Sequence, residues 1–423
     1  MRLRRIIREW CAQWPRPRSV ALAVLLSVAL ANLAIVRPFV PLQAQQKTKL
    51  PRPRRLDEDV TWKRDPVTGE LIAISPGGAA KGDSTKGPGD AGTAADAHAI
   101  SVVTQIVPVT CSVIGADGVA VRGLRLADFR VFDEGVQQPL TYFDASTESA
   151  SVAVVIDASP SVLRESDEMK NAARALVDAL GSSDQTAVVD FSAHTYLQIP
   201  FSVDWGAIRK AVGRVDAKQL LGDTGGTNIY QAIFIATKEL FAGRTGRKAI
   251  VLLTDGQDSG LGLTLDPATS RPRPGLPTNQ LTFEDVLREL STQDVQVFAV
   301  STESRPKIMT ADFLATHAGQ TLLTESARDG AIPAYTLYLA EMVRRSGGQL
   351  YFLREAETLA DTFHQIALKI RAEYTVGFSP TTAGTARTPR AGWHQLRVEV
   401  IGHPNATVTA RASYYVPSKS EVQ

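Results

Sequence analysis

Ser151-Val-Ala-Val-Val-Ile-Asp157-Ala-Ser159-Pro-Ser161-Val162 is an apolar run that stops at an acid followed by two alternating hydroxyls. Residues 152–156 carry no charge and are mostly β-branched, which suits a strand covered on both faces in a parallel sheet between helices. The acid and the serines then fall in the loop beyond the strand's carboxyl end, where open α/β sheets place their ligands.

Outward from that run, residues 151–371 alternate strand and helix patterns. Strands are expected at 152–157, 186–192, 196–201, 248–254, 295–301 and 349–353, and helices at 165–180, 205–212, 229–241, 283–292, 334–345 and 356–371. Met169, Ala173, Leu176 and Leu180 give the first helix its apolar stripe, and Leu359, Phe363, Ile366 and Ile370 give the last one its own. The pattern predicts an α/β fold, a doubly wound, mainly parallel sheet with helices on both faces. The runs 186–192 and 196–201 are joined too briefly for a crossover helix, so one of them should be an antiparallel edge strand. Two stretches interrupt the alternation as long loops, 260–281 with four prolines and the insertion 305–330.

The flanks of this domain (149–371) alternate by two instead. Residues 99–148 do so at 103–113, 118–121, 129–132 and 140–143, and residues 372–417 at 374–378, 396–400 and 408–416. The last run places Val408, Ala410, Ala412, Tyr414 and Val416 on one face. Each flank is too small to be stable by itself, so the two should join into one small β-sandwich into which the α/β domain is inserted. Cys111 shares the alternating set Val107, Val109 and Val113 and reads as a small buried apolar side chain. The other cysteine, Cys11, lies in the amino-terminal segment, so no disulfide framework is expected in the exported part.

Residues 1–44 contain seven arginines against one acid, Glu9, a net of +6 that leaves −4 on the remainder of a chain whose formal charge is +2. A nucleic-acid partner is disfavoured, because the basic balance does not belong to a folded face. A basic stretch through Arg18, an uncharged apolar run over 19–36 and the approach Leu42-Gln43-Ala44 read as an export signal. That run is long for a cleaved signal and just enough to span a bilayer. Cleavage near Ala44 and retention as an amino-terminal membrane anchor both stand open. Residues 45–98 are rich in Pro, Gly, Lys and Asp and are expected to form a flexible tether, with a short tail at 418–423.

Two further pieces belong with the opening stretch. Gly225-Gly226-Thr227-Asn228 precedes a helix, and Thr254-Asp255-Gly256-Gln257-Asp258 ends a strand as Asp157 does. Singly, each has a plain structural reading as a helix cap or a turn. Together, Asp157, Ser159, Ser161, Thr227 and Asp255 form a set of hard oxygen donors, favouring Mg²⁺, Mn²⁺ or Ca²⁺ over zinc. His194, Asn228 and Asp258 border the set in sequence.

In this order and on this β-α alternation, the three pieces resemble the metal-ion-dependent adhesion site of a von Willebrand factor A (VWFA) domain. The resemblance implies that Ser159, Ser161 and Thr227 contact a divalent cation, Mg²⁺ foremost, while Asp157 and Asp255 hold coordinated waters and orient the hydroxyls. Neutral hydroxyls leave the ion's charge poorly quenched, so it should take up a Glu or Asp carboxylate from a protein partner. The flanks, in Leu124-Arg-Leu-Ala-Asp-Phe-Arg-Val-Phe-Asp-Glu-Gly135 and in Trp393-His-Gln-Leu-Arg-Val-Glu-Val400, resemble the Acidobacteria-type VWFA-related proteins. That family implies a binding module.

The leading expectation is an exported, non-enzymatic, metal-dependent protein-binding module, periplasmic, secreted or anchored. A metal-assisted hydrolase is the second, but the chain holds no Gly-x-Ser-x-Gly elbow, no His-Glu-x-x-His and no phosphate-binding glycine loop. A metal-free scaffold that binds through its β-sandwich is the third.

Overall fold

The computed structural model describes residues 50–58, 61–64, 71–74, 106–145, 149–215, 226–260, 281–307, 309, 332–353, 359–371, 373–380 and 390–417. The leader 1–44, the tail 418–423, tether residues 75–98, Gly225 and nearly all of both long loops lie outside them. Among the described residues no helix is long and apolar enough to cross a membrane.

Strand β8 (Ser151–Asp157) is buried along its whole length and stands at the centre of a seven-stranded sheet. It pairs in parallel with β9 (Gln185–Phe191) on one side and with β11 (Lys248–Thr254) on the other. Beyond β11 lie the parallel strands β12 (Gln296–Ser301) and β13 (Leu350–Phe352). Beyond β9 lies β10 (Thr195–Ser202), antiparallel to it as the short connection requires. The chain winds in opposite directions from β8, which makes the carboxyl edge between β9, β8 and β11 the crevice of the sheet.

Helices cover both faces. α1 (Ser166–Ala179), α2 (Trp205–Arg214) and α6 (Leu359–Arg371) pack on Val152, Val154 and Ile156, and Met169, Leu176, Phe363 and Ile370 are fully buried there. α3 (Ile229–Phe241), α4 (Phe283–Gln293) and α5 (Ala334–Ser346) pack on Ala153 and Val155. At roughly 25 cal/mol per Å² of apolar surface removed from water, these two layers supply the main drive for folding.

The flanking segments form two further four-stranded sheets. One orders β16 (Thr407–Ala410), β4 (Val107–Ile114), β14 (Glu373–Phe378) and β7 (Leu140–Asp144). The other orders β17 (Ser413–Val416), β15 (Gly392–Val400), β5 (Phe129–Asp133) and β6 (Val136–Gln138). Their inner faces share a core of Val109, Cys111, Val131, Val376, Phe378 and Tyr414, with Cys111 fully buried.

Three local expectations change. Residues 118–121 make no strand, only a bridge from Ala120 to Ile114, because the tight turn closed by Gly118 N–H to the Gly115 carbonyl leaves too little chain to pair. The run 408–416 breaks at Arg411 and Ala412 and passes from one sheet to the other, which still points Val408, Ala410, Tyr414 and Val416 at the shared core. Parts of the tether are built into the α/β layer. β1 (Arg54–Arg55) adds antiparallel to β10, Leu56 is buried, and β2 (Thr61–Arg64) and β3 (Leu71–Ile74) form a hairpin. Trp62 meets Phe234 edge to face at 5.2 Å, and Arg64 grips Asp285 with two hydrogen bonds of 2.9 and 2.7 Å. Composition hid these anchors because Leu56 and Trp62 are isolated apolar residues and the run Leu71–Ile74 is only four residues long.

Candidate metal centre

The abrupt end of β8 has a local cause. Asp157 Oδ1 accepts the Ser159 N–H at 2.9 Å, turning the backbone out of the strand, while Ala158 N–H donates to the Phe191 carbonyl at 2.8 Å. Ser159 then opens a short 3₁₀ turn over Pro160–Val162 that leads into α1. Its hydroxyl is buried and lies 3.0 Å from that of Ser161, which is exposed. The x-Ser-x-Ser spacing therefore stacks two hydroxyls at the crevice, one inside and one at its mouth.

The register of β11 against β8 sets Leu253 opposite Ile156, so the next pair of residues stands side by side at the sheet edge. Thr254 Oγ1 donates to Asp157 Oδ2 at 2.6 Å and accepts the Gly256 N–H at 3.0 Å. Asp255 Oδ1 accepts the Gln257 N–H at 2.9 Å, and Ser161 also donates a hydrogen bond to Asp255. Gly256 has φ +88°, a left-handed turn in which an added Cβ would press on Tyr335 at 3.3 Å.

Both carboxylates are buried. Burial pushes Asp157 up to about 7; hydrogen bonds from Ser159 and Thr254 work against this, and the neighbouring charge of Asp255 adds to it. Burial likewise raises Asp255, opposed by the Gln257 N–H and the Ser161 hydroxyl and reinforced by Glu165. Two buried acids at one crevice, Asp157 raised further by the charge of Asp255, hold negative charge that a divalent cation beside them would compensate. The donors suit a hard ion, being carboxylate and hydroxyl oxygens.

Thr227 reaches the same edge through its backbone. Its N–H donates to Ser259 Oγ at 2.7 Å, and its carbonyl accepts the Ser259 N–H at 2.8 Å. Asn228 ties this loop to the end of β9, donating from its backbone to Ser192 and from its side chain to the Ala193 carbonyl at 2.7 Å. Asp258 Oδ1 accepts the Ile229 N–H at 2.7 Å and so caps α3 from a neighbouring loop. Gly226 has φ +91°, and a Cβ there would fall 2.2 Å from Ser259 Oγ.

Hydrogen bonds thus join Asp157, Ser159, Ser161 and Asp255 into one group, and the 258–259 segment holds the Thr227 loop against it. His194 is turned to the edge of the sheet, where its Nδ1 lies 2.8 Å from Asp57 Oδ2. Sequence reasoning missed the roles of Thr254 and Ser259. Neither left a local signal: Thr254 acts through the register of β11 against β8, and the partner of Ser259 lies 32 residues away.

Residues 152–257 match the family described as von Willebrand factor type A domain. That stretch is similar to a von Willebrand factor A domain. The matched span opens on β8 and closes just past the Asp255 turn, so it encloses all five candidate site residues. Solved structures with a similar arrangement include an aerotolerance-related membrane protein from Bacteroides fragilis, 16% identical over 52% of this chain and 98% of that one with a TM-score of 0.36. A von Willebrand factor type A structure from Catenulispora acidiphila is 14% identical over 75% of this chain and 76% of that one, TM-score 0.35. Proximal thread matrix protein 1 from the mussel byssus, solved with a zinc-occupied MIDAS motif, is 17% identical over 56% and 49%, TM-score 0.36. No curated protein matches the chain.

Proposed function

We propose that the von Willebrand factor A domain of this chain is a non-enzymatic protein-binding module that presents a divalent cation, Mg²⁺ foremost, to a Glu or Asp carboxylate of a partner. Ser159, Ser161 and Thr227 would hold the ion, and Asp157 and Asp255 would order its waters and the hydroxyls. The observation that carries this reading is the Ser159–Ser161 hydroxyl pair, 3.0 Å apart, beside two buried carboxylates. The bound ion would supply a positive centre with a replaceable water. Ser161 stands at the mouth of the crevice, on the side from which a partner's carboxylate would approach. The leader 1–44 supports export, with the domain displayed outside the cytoplasm and a membrane connection only through a retained leader.

Calorimetric Mg²⁺ and Mn²⁺ titrations of the intact chain, of Ser159→Ala and of Asp157→Ala test the reading. One equivalent bound by the parent and at least tenfold weaker binding by both variants is expected. Identical isotherms for all three chains would exclude it. The partner carboxylate is tested by capture of envelope proteins on the parent and on Ser161→Ala, with and without chelator.

A further inference from the structure

Away from the crevice, Asp133, Glu134 and His394 meet where β5 pairs with β15, each offering a donor atom within 4.8 Å of the others. Asp133 and His394 are buried, while Glu134 is exposed.

The proton positions follow from the neighbours. His394 Nε2 lies 2.7 Å from the carbonyl oxygen of Arg390, a group that only accepts, so this nitrogen carries a hydrogen. In the neutral ring the lone pair is then on Nδ1, aimed at Asp133 Oδ1 3.0 Å away. Asp133 is an acceptor too, and its Oδ2 already takes the Tyr414 hydroxyl at 3.0 Å. Two buried acceptors set face to face need a positive centre with them, either a proton or a metal ion.

Glu134 decides between these. A proton on the Nδ1–Oδ1 line needs no third acceptor, whereas a cation does. Glu134 adopts φ +48°, uncommon for a residue other than glycine, and Gln395 N–H holds its Oε1 at 2.9 Å. All three groups therefore carry an outer hydrogen bond that fixes their direction, from Arg390, Tyr414 and Gln395, the kind of support that orients metal ligands.

We propose that Asp133, Glu134 and His394 form a second cation site, for a divalent ion of the zinc type, with Nδ1 and two carboxylates as protein ligands and a water completing the shell. One imidazole among the oxygens sets it apart from the all-oxygen centre at Asp157. Ligand atoms on a tetrahedral zinc sit about 3.3 Å from one another, given metal–ligand distances of about 2.0–2.1 Å, so the 3.0 Å pair has to open by only a few tenths. The ion would tie a strand that precedes the inserted domain to one that follows it, 261 residues later.

Zinc titration of the full chain by calorimetry, with the unfolding temperature read in parallel, tests the site in the parent, in Glu134→Gln, in Ser161→Ala and in the double variant. Gln at the exposed position 134 still accepts the Gln395 N–H, so the fold is kept and circular dichroism verifies it. The parent and Ser161→Ala are expected to bind a zinc equivalent and to gain thermal stability from it. Glu134→Gln is expected to weaken that equivalent at least tenfold in both backgrounds and to remove the thermal gain. Unchanged zinc isotherms on Glu134→Gln, or no zinc bound by Ser161→Ala, would overturn the proposal and leave a proton between Nδ1 and Oδ1.

Discussion

Thr254 Oγ1 donates a 2.6 Å hydrogen bond to Asp157 Oδ2, joining the last residues of two adjacent parallel strands beneath the candidate metal centre. The bond fixes which oxygen of Asp157 remains for the crevice. Thr254→Val keeps the shape and removes the donor from a buried carboxylate. It should cost about 1–3 kcal/mol of stability, measured by urea unfolding, and reduce Mg²⁺ affinity. Unfolding curves and isotherms that superimpose on the parent would show the bond to be idle.

Gly226 leaves room for the Thr227 loop to lie against Ser259. In Gly226→Ala the new Cβ would fall 2.2 Å from Ser259 Oγ at a left-handed φ. The loop must shift, with a stability loss of about 1–3 kcal/mol for the strained backbone and a larger proportional loss of metal affinity. Gly226→Ala/Ser259→Gly should recover part of both, because the clashing hydroxyl is gone while the φ penalty stays.

Asp190, buried in β9, is raised to about 6, chiefly by burial; Gln198 Nε2, donating at 2.7 Å, holds it down in part. Its folded value exceeds the ordinary 3.8, so its contribution to stability is present below about pH 4 and is lost as the pH rises through about 6. Asp190→Asn should therefore be neutral at pH 4 and more stable than the parent at pH 8, by on the order of 3 kcal/mol. Guanidinium midpoints at the two pH values give the difference; a constant gap would refute the assignment.

Arg64 holds the β2–β3 hairpin to α4 through its two bonds to Asp285. Arg64→Ala strips a buried carboxylate of its main partner and should destabilise the chain by about 1–3 kcal/mol. Amide exchange at β1 and β2 should rise more than at β8. Equal rises across the chain would mean the hairpin does not open as a separate unit.

Much of this fold was legible before any coordinates. The helix 229–241 and the strand 248–254 have the bounds expected of them, since Asn228 and Asp255 punctuate strong apolar runs. Periodicity fails where structure depends on single residues. Leu56, Trp62 and Leu71 anchor a segment whose composition is that of a linker, and Arg411 marks a corner that an unbroken alternation conceals. At the crevice, the residue types of Asp157, Ser159 and Ser161 signal their chemistry because acid and hydroxyls stop a buried run. The bracing by Thr254, Asp258 and Ser259 depends on cross-strand register and loop contacts, which no local pattern encodes.

In one sandwich sheet strands from before the inserted domain alternate with strands from after it, so that β4 lies between β16 and β14; in the other, β5 pairs across the same divide with β15. A ribosome delivers these partners more than two hundred residues apart, so β4 emerges long before either of its neighbours exists. Its apolar face, Val107, Val109, Cys111 and Val113, stays uncovered by its strand neighbours while the inserted domain folds on its own local contacts. The sandwich therefore closes last, when residues 392–416 arrive, and its closure reports that the chain has been delivered through its last sandwich strand. A chain cut short before residue 392 would present unpaired edges ready to capture another copy.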